Sequence, residues 1–259
     1  MSSRRAGSRS ANQVALFFTS RAHQGENLAA VLRHRDLELP KPTHMSDALA
    51  SNTPEGFDLD LANCLGHARR GFVGEIENHP DECEIVLSAF SVVFAKEKEA
   101  IEQKMSPEER LRFHRQESAP ILILLRKWIG RQFREHLVEP NSELGRCMRY
   151  ILRHWAELTS FLRKAGAPLT NNICERALKM AIRYRNNSYF YRTLKGAKVG
   201  DVYMTLIFTA KLNGVNPFHY LTELLRNTKS VAENPRDWLP WTYEATLDRI
   251  NSKVAKIAA

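Results

Sequence analysis

The chain has 259 residues, with 38 lysines and arginines against 29 aspartates and glutamates, for a net charge of +9. At 43% hydrophobic and 26% charged it reads as a globular protein, long enough for a real core and neither disordered nor fibrous. Its longest apolar runs, 14–18 and 121–125, are five residues each, whereas a membrane helix needs about 20; with no secretory leader pattern after Met1, a soluble, cytoplasmic protein with no membrane partner is expected.

Residues 1–12, MSSRRAGSRSAN, are rich in Ser and Arg and predict a disordered arm. The segment 13–19 is rich in Val, Leu and Phe between polar flanks, the pattern of a buried strand. Leu28, Val31 and Leu32 predict a helix over 26–35, which Pro40 and Pro42 stop. A second short strand is expected at 43–45, ending at Asp47, and 51–58 reads as loop, with Asp58 and Asp60 in or beside it. From 62 to 165 the pattern is helical. Ser106-Pro107-Glu108-Glu109 is a helix start, with Ser as N-cap, Pro at the first position and Glu three residues after the cap. Pro120 interrupts the run that follows. Leu144, Met148, Ile151, Trp155, Leu158 and Leu162 alternate spacings of four and three, one apolar stripe along a single long helix, so a helical bundle is expected.

Further on, 171–184 predicts a helix and 188–193 (SYFYRT) a strand. A helix over 199–212 follows, with Val202, Leu206 and Ala210 on one face. Asn216-Pro217 starts another, reaching about Arg226. Trp238-Leu239-Pro240-Trp241 is too aromatic for a loose linker and is expected to pack back on the body. Cys64, Cys83, Cys147 and Cys174 form no CxxC pair, so buried free thiols are expected rather than a zinc site.

The stretch least like ordinary packing is 168–200. Between Arg176 and Lys198 it holds seven basic residues and no acidic one, and Arg176, Lys179 and Arg183 stand at i, i+3 and i+7, on one helix face. Tyr184, Tyr189, Phe190 and Tyr191 interleave rings with that charge, which suits nucleic acid. Glu175 opens the stretch. With Asn172 as N-cap it is the third-position glutamate of a capping box; alternatively it is a metal-binding carboxylate beside phosphate-binding arginines. Phosphodiester chemistry uses paired divalent cations held by hard oxygen ligands from distant parts of a chain. Asp47, 128 residues upstream, is the natural partner.

PLTNNICERALK (168–179), NCLGHARRGF (63–72), TAKLNGVNPFHYL (209–221) and LPWTY (239–243) together resemble the insertion-sequence-66 transposase family, in family order from about Gln13 to Tyr243. The resemblance implies an α/β fold, a ribonuclease-H-like core interrupted by a large all-helical insertion, and a helical C-terminal element. It implies an aspartate, aspartate, glutamate triad binding Mg²⁺ or Mn²⁺, with DNA and further transposase subunits as partners. Asp47, in HMSDALASN, matches the second triad member and Glu175 the third. Both are the candidate catalytic and metal residues. Arg176, Lys179, Arg183, Arg185, Arg69 and Arg70 are the candidate DNA contacts. The implied layout is core over 13–72, insertion over 73–165, core again over 166–201, C-terminal element over 202–243 and tail over 244–259. The family's first aspartate, expected on a strand before 13–19, has no match, and Thr170 stands where the family has aspartate. The expectation is a transposase truncated at its N-terminus and impaired in catalysis; the alternative is a non-enzymatic DNA-binding remnant or an inhibitor of an intact transposase.

Overall fold

A computed structural model describes residues 12–20, 24–36, 38–187, 191 and 193–257, the side chains of 184–187 and 253–257 excepted. Most of the expected arm at 1–12 and of the expected strand at 188–193 lies outside the described residues. The fold is mostly helical with a small parallel sheet. It divides into two compact units, a central one, Ala22–Cys174, and a terminal one joining the described residues before Ala22 to those from Glu175 onward.

The central unit runs α1 (Gln24–Leu32), β1 (Thr43–Ser46), β2 (Asp60–Asn63), α2 (Leu65–Glu75), α3 (Pro80–Glu102), α4 (Pro107–Glu117), α5 (Ala119–Arg134), α6 (Glu143–Arg153) and α7 (Trp155–Leu158). β1 and β2 pair in parallel, Thr43 opposite Asp60 and Ser46 opposite Asn63. The strand expected at 43–45 is therefore present. Asp60 is not in a loop: it opens β2, and its carboxylate is paired with Lys164 and with Lys41.

Most of the apolar burial is in the bundle. Leu65, Ala68 and Phe72 of α2, Cys83, Val86, Phe90 and Val93 of α3, Leu122, Leu125 and Ile129 of α5, and Leu144, Met148 and Ile151 of α6 form one core. Each set keeps the three-and-four spacing that points one helix face inward. Each large side chain so buried contributes roughly 1.5–3 kcal/mol, so the helices, and not a two-stranded sheet, hold the unit together. The predicted capping box forms: Ser106 N–H donates to Glu109 (2.8 Å) and Glu109 N–H to Ser106 Oγ (3.3 Å). Pro120 ends no helix from within; it sits in the first turn of α5. The single long helix expected over 144–162 is broken twice. His154 (φ −102°, ψ 22°) and Thr159 (φ −106°, ψ 19°) leave helical geometry, and a short 3-10 turn, Ser160–Leu162, follows α7. The stripe still packs on the shared core, and the changes of direction bury Phe161 as well.

A buried polar cluster ties α3 to α4. His114, wholly buried, places Nε2 2.9 Å from the Glu97 carboxylate and Nδ1 2.8 Å from Ser118 Oγ. Arg110 Nε donates to Glu97 (2.7 Å) and its Nη1 to the Ala167 carbonyl (3.1 Å). Burial works to raise the Glu97 carboxyl, but hydrogen bonds from His114 and Arg110, with the Arg110 charge, hold it below the usual glutamate value.

α8 (Asn172–Asn187) carries the chain into the terminal unit, followed by α9 (Leu194–Leu212), α10 (Pro217–Arg226), α11 (Thr228–Glu233) and α12 (Tyr243–Ile257). α10 starts as Asn216-Pro217 predicts, with Asn216 Oδ1 accepting from the N–H groups of Phe218 (3.0 Å) and His219 (3.2 Å). Ala210, Tyr220, Trp238 and Tyr243 form the buried core here. Tyr220 donates its hydroxyl proton to the Trp238 carbonyl (2.7 Å). The aromatic 238–241 segment thus packs back through Trp238, while Leu239 and Trp241 stay exposed. α9 starts earlier than expected, capped by Thr193, and of its predicted apolar face Ala210 is buried and Val202 exposed.

The segment expected as a buried strand at 13–19 is extended but joins no sheet. The N–H groups of Gln13, Ala15, Phe17 and Thr19 donate to Asn213 Oδ1 (3.2 Å), Thr209 Oγ1 (3.2 Å), Thr205 Oγ1 (3.1 Å) and Asp201 Oδ2 (2.6 Å). Those acceptors lie one turn apart along α9 and its C-cap, Asn213. Phe17 packs on Phe208, ring centroids 5.4 Å apart, whereas Val14, Leu16 and Phe18 point out and are exposed. The backbone donors of an extended segment need partners, and a polar stripe on a helix supplies them here in place of a neighbouring strand.

Candidate functional site

Asp47 follows β1 directly and Cys64 follows β2, with Cys64 N–H donating to the Ser46 carbonyl (2.8 Å) so that the ladder runs to the ends of both strands. These are the carboxyl ends of parallel strands, where α/β sheets place their ligand sites. Asp47 Oδ1 accepts from Leu49 N–H (3.2 Å) and from Asn52 Nδ2 (2.7 Å), an Asx-type turn that fixes the carboxylate. Ala48 within that turn is left-handed, φ 69°, a conformation that is strained for a residue other than glycine. Burial tends to raise the Asp47 carboxyl. The Leu49, Asn52 and own-backbone hydrogen bonds, with His67 near, overcome it and hold the group below the ordinary aspartate value. Leu49 N–H and Asn52 Nδ2 both donate to Oδ1.

Behind Asp47, Tyr150 of α6 donates its hydroxyl proton to the Asp47 carbonyl (3.4 Å). Burial pushes the Tyr150 phenol up to about 12, and the Asp47 charge adds to it. Tyr150 therefore stays protonated and able to donate at any physiological pH. Sequence reasoning passed over both Asn52 and Tyr150.

Glu175, half-buried, lies in the first turn of α8. That helix begins at Asn172. Asp47 belongs to the central unit and Glu175 to the terminal one. Arg176, Lys179 and Arg183 are exposed along α8, and Arg69 and Arg70 are exposed on α2. The Arg185 side chain lies outside the described residues. Among the described residues no cysteine forms a disulfide; Cys64 and Cys83 are buried as expected, Cys147 is half-buried and Cys174 exposed. Among the described residues no helix is long and apolar enough to cross a membrane.

Three proteins of Sinorhizobium fredii (strain NBRC 101917 / NGR234) are similar to the chain. Uncharacterized protein y4jD is 32% identical over 198 residues, 72% of this chain and 37% of that protein. Uncharacterized protein y4hP is 26% identical over 215 residues, covering 76% of this chain and 38% of that protein. Uncharacterized protein y4qI is 26% identical over 208 residues, covering 78% and 37%. The chain thus spans less than two fifths of the length of these relatives. No solved structure matches it. The sequence profile of the Transposase IS66 family matches residues 2–199, most of the chain. The parallel pair with Asp47 at its carboxyl end lies within that match, and the protein belongs to the IS66 transposase family.

Proposed function

We propose that the chain is a catalytic-core portion of an insertion-sequence DNA transposase, which cleaves phosphodiester bonds and transfers DNA strands with a divalent metal. One observation carries this reading: in a chain of this family, the Asp47 carboxylate is fixed by Leu49 N–H and Asn52 at the end of a parallel strand and held below the ordinary aspartate value. In this reading 13–72 and 166–201 build a ribonuclease-H-like core around β1 and β2. Residues 73–165 are its helical insertion, 202–243 a C-terminal element and 244–259 a tail.

Mg²⁺ and Mn²⁺ take oxygen ligands, and Mg²⁺ is commonly held by one or two carboxylates with substrate phosphates completing the shell. Asp47 fits that donor chemistry, and Glu175 is the second ligand proposed. Bound there, the metal would activate the attacking water or 3′-hydroxyl and stabilise the leaving oxygen. The chain's own groups do the positioning. Asn52 and the Leu49 N–H set the direction of the Asp47 carboxylate. Arg176, Lys179, Arg183 and Arg185, with Arg69 and Arg70, hold DNA phosphates.

A second reading rests on one observation: Arg176, Lys179 and Arg183 are exposed along α8, a basic helix face that can hold DNA phosphates without any metal site. In it this polypeptide by itself binds DNA without cutting it, as a remnant or as an inhibitor of an intact transposase.

Mn²⁺ titration followed by electron paramagnetic resonance tests the metal site. Asp47→Asn and Glu175→Gln should each weaken binding about tenfold or more, since even outer-shell changes cost that much. Unchanged affinity in Glu175→Gln refutes a shared centre. Incubation with the element's end DNA separates the two readings: metal-dependent cleavage that vanishes in Glu175→Gln supports the enzyme, and DNA binding with no cleavage supports the remnant.

A further inference from the structure

Resting on the DNA-joining reading above, we propose that the outer face of α6, in the helical region between Asp47 and Glu175, is a further contact for the DNA phosphate backbone, set beside Asp47. Arg146, Arg149 and Arg153 stand at i, i+3 and i+7 on α6 and all three are exposed. The stretch 144–156 contains no acidic residue. Leu144, Met148 and Ile151 are buried on the opposite side, so core packing fixes the arginine face outward. The helix rise spreads the three guanidiniums over about 10 Å of axis, a span that covers more than one phosphate.

The face is concave. Arg146, Arg149, Tyr150, Leu152, Arg153 and His154 line an open hollow of about 700 Å³. The Tyr150 and His154 rings lie in it, 4.8 Å apart. Arg146 is paired with Glu143, but among the described residues no carboxylate pairs with Arg149 or Arg153. Elsewhere in the same unit, Arg126 of α5 lies 5.2 Å over the Trp155 ring, and Arg126, Lys127 and Arg134 line a second hollow. A concentration of unpaired arginine on a rigid helix face attracts polyanions and gains free energy by releasing their counterions.

Position selects DNA over an acidic protein. Tyr150 lines the hollow and also donates to the Asp47 carbonyl. A strand whose phosphodiester reaches Asp47 therefore has this arginine face within reach of its neighbouring phosphates. The planar fork of Arg suits that contact.

The test uses the whole chain and a fluorescein-labelled duplex of arbitrary sequence, with affinity measured at several salt concentrations. Each lost phosphate contact reduces the log–log salt slope by about 0.9. Arg149→Ala/Arg153→Ala should therefore flatten the slope by about 1.8, equivalent to roughly 60-fold weaker binding at about 0.1 M salt when counterion release is referred to 1 M. Arg149→Lys/Arg153→Lys should keep the slope. A double-alanine variant with unchanged circular dichroism and the wild-type slope overturns the proposal. Should it fold poorly, Arg149→Gln/Arg153→Gln is read in the same way. Arg176→Ala/Arg183→Ala is measured beside it. If that pair alone flattens the slope, DNA binding through α8 stands without the α6 face; if neither pair moves it, both fall. Binding of an acidic protein that competes for the chain while duplex DNA does not would also overturn the proposal.

Discussion

Replacing Glu97 with alanine should destabilise the central unit by about 3–5 kcal/mol, the usual cost of removing one partner from a buried ion pair. His114 is wholly buried, so its Nε2–H would lose its only acceptor with no water to replace it. The Arg110 side chain keeps 16% of its surface and Glu97 19%, so Arg110 would recover some hydration and the loss should fall near about 3 kcal/mol. Urea unfolding followed by tryptophan fluorescence measures it. Trp128 and Trp155 pack on the central core, so a Trp238→Phe/Trp241→Phe background confines the signal to one unit and one transition. With a slope of about 2 kcal/mol per molar urea, the midpoint should drop by about 1.5 M. The pH dependence has a fixed sign. The folded Glu97 carboxyl lies below its ordinary value of 4.5, so its stabilisation is present above that pH and lost as acid carries the solution through the folded value. The gap between wild type and Glu97→Gln should therefore close below about pH 4.5. A loss under about 1 kcal/mol, as exposed pairs give, or a gap that widens in acid, would refute the reasoning.

Gly145→Ala should cost about 1–3 kcal/mol in the same urea assay, because its Cβ would run into the Glu139 carbonyl oxygen and lie 2.9 Å from backbone atoms of Pro140; unchanged stability would mean the approach is looser than described. Thr205→Val removes the acceptor of the Phe17 N–H and should speed exchange of that amide about 2- to 10-fold by hydrogen-exchange NMR, the worth of one net hydrogen bond; unaltered protection would show that the segment is held by something else. In alkaline titration at constant fold, Tyr150 and Tyr220, both pushed up to about 12 by burial, should ionise after the exposed tyrosines. Tyr150→Phe should delete one of those two late steps, and a loss from the early group would count against its burial.

Local signals served the fold where the chemistry is local. Ser106 and Glu109 cap their own helix, and Asn216-Pro217 starts another, because cap and partner lie within one turn. The strand expected at 43–45, with Asp47 behind it, was legible from Pro40 and Pro42, which end the preceding helix. β2 escaped notice because DLAN is too short to show alternation. The split at His154 and Thr159 was hidden for a different reason: spacings of three and four persist across a break when both pieces pack on one core. Segment 13–19 reads as a strand because Val, Leu and Phe say only that it is extended. Whether its donors meet a strand or threonines nearly two hundred residues away is decided by tertiary structure. The candidate site divides in the same way. Asn52, five residues from Asp47, follows from the turn, while Tyr150 arrives from 103 residues away through the packing of α6.

The four rungs between 13–19 and α9 compare two rulers. Four helical residues advance about 6.0 Å and two extended residues about 6.6–6.8 Å, so the scales drift by about 0.7 Å per rung, as on a vernier. Between the rung at Gln13 and the rung at Thr19 the drift reaches about 2 Å, and the distances pass from 3.2 Å to 2.6 Å along the series. The drift alone limits such a strap to a few rungs. The amino-acid sequence stops it at the same length, since the next positions, Ala197 and Pro217, offer no side-chain acceptor. Slipping by two residues would leave three rungs matched and forfeit one net hydrogen bond, about 0.5–1.5 kcal/mol. It would also pull Thr19 Oγ1 from its 2.8 Å contact with Asp201 Oδ1. A lone extended segment thus keeps a single register on a helix without any sheet to set it.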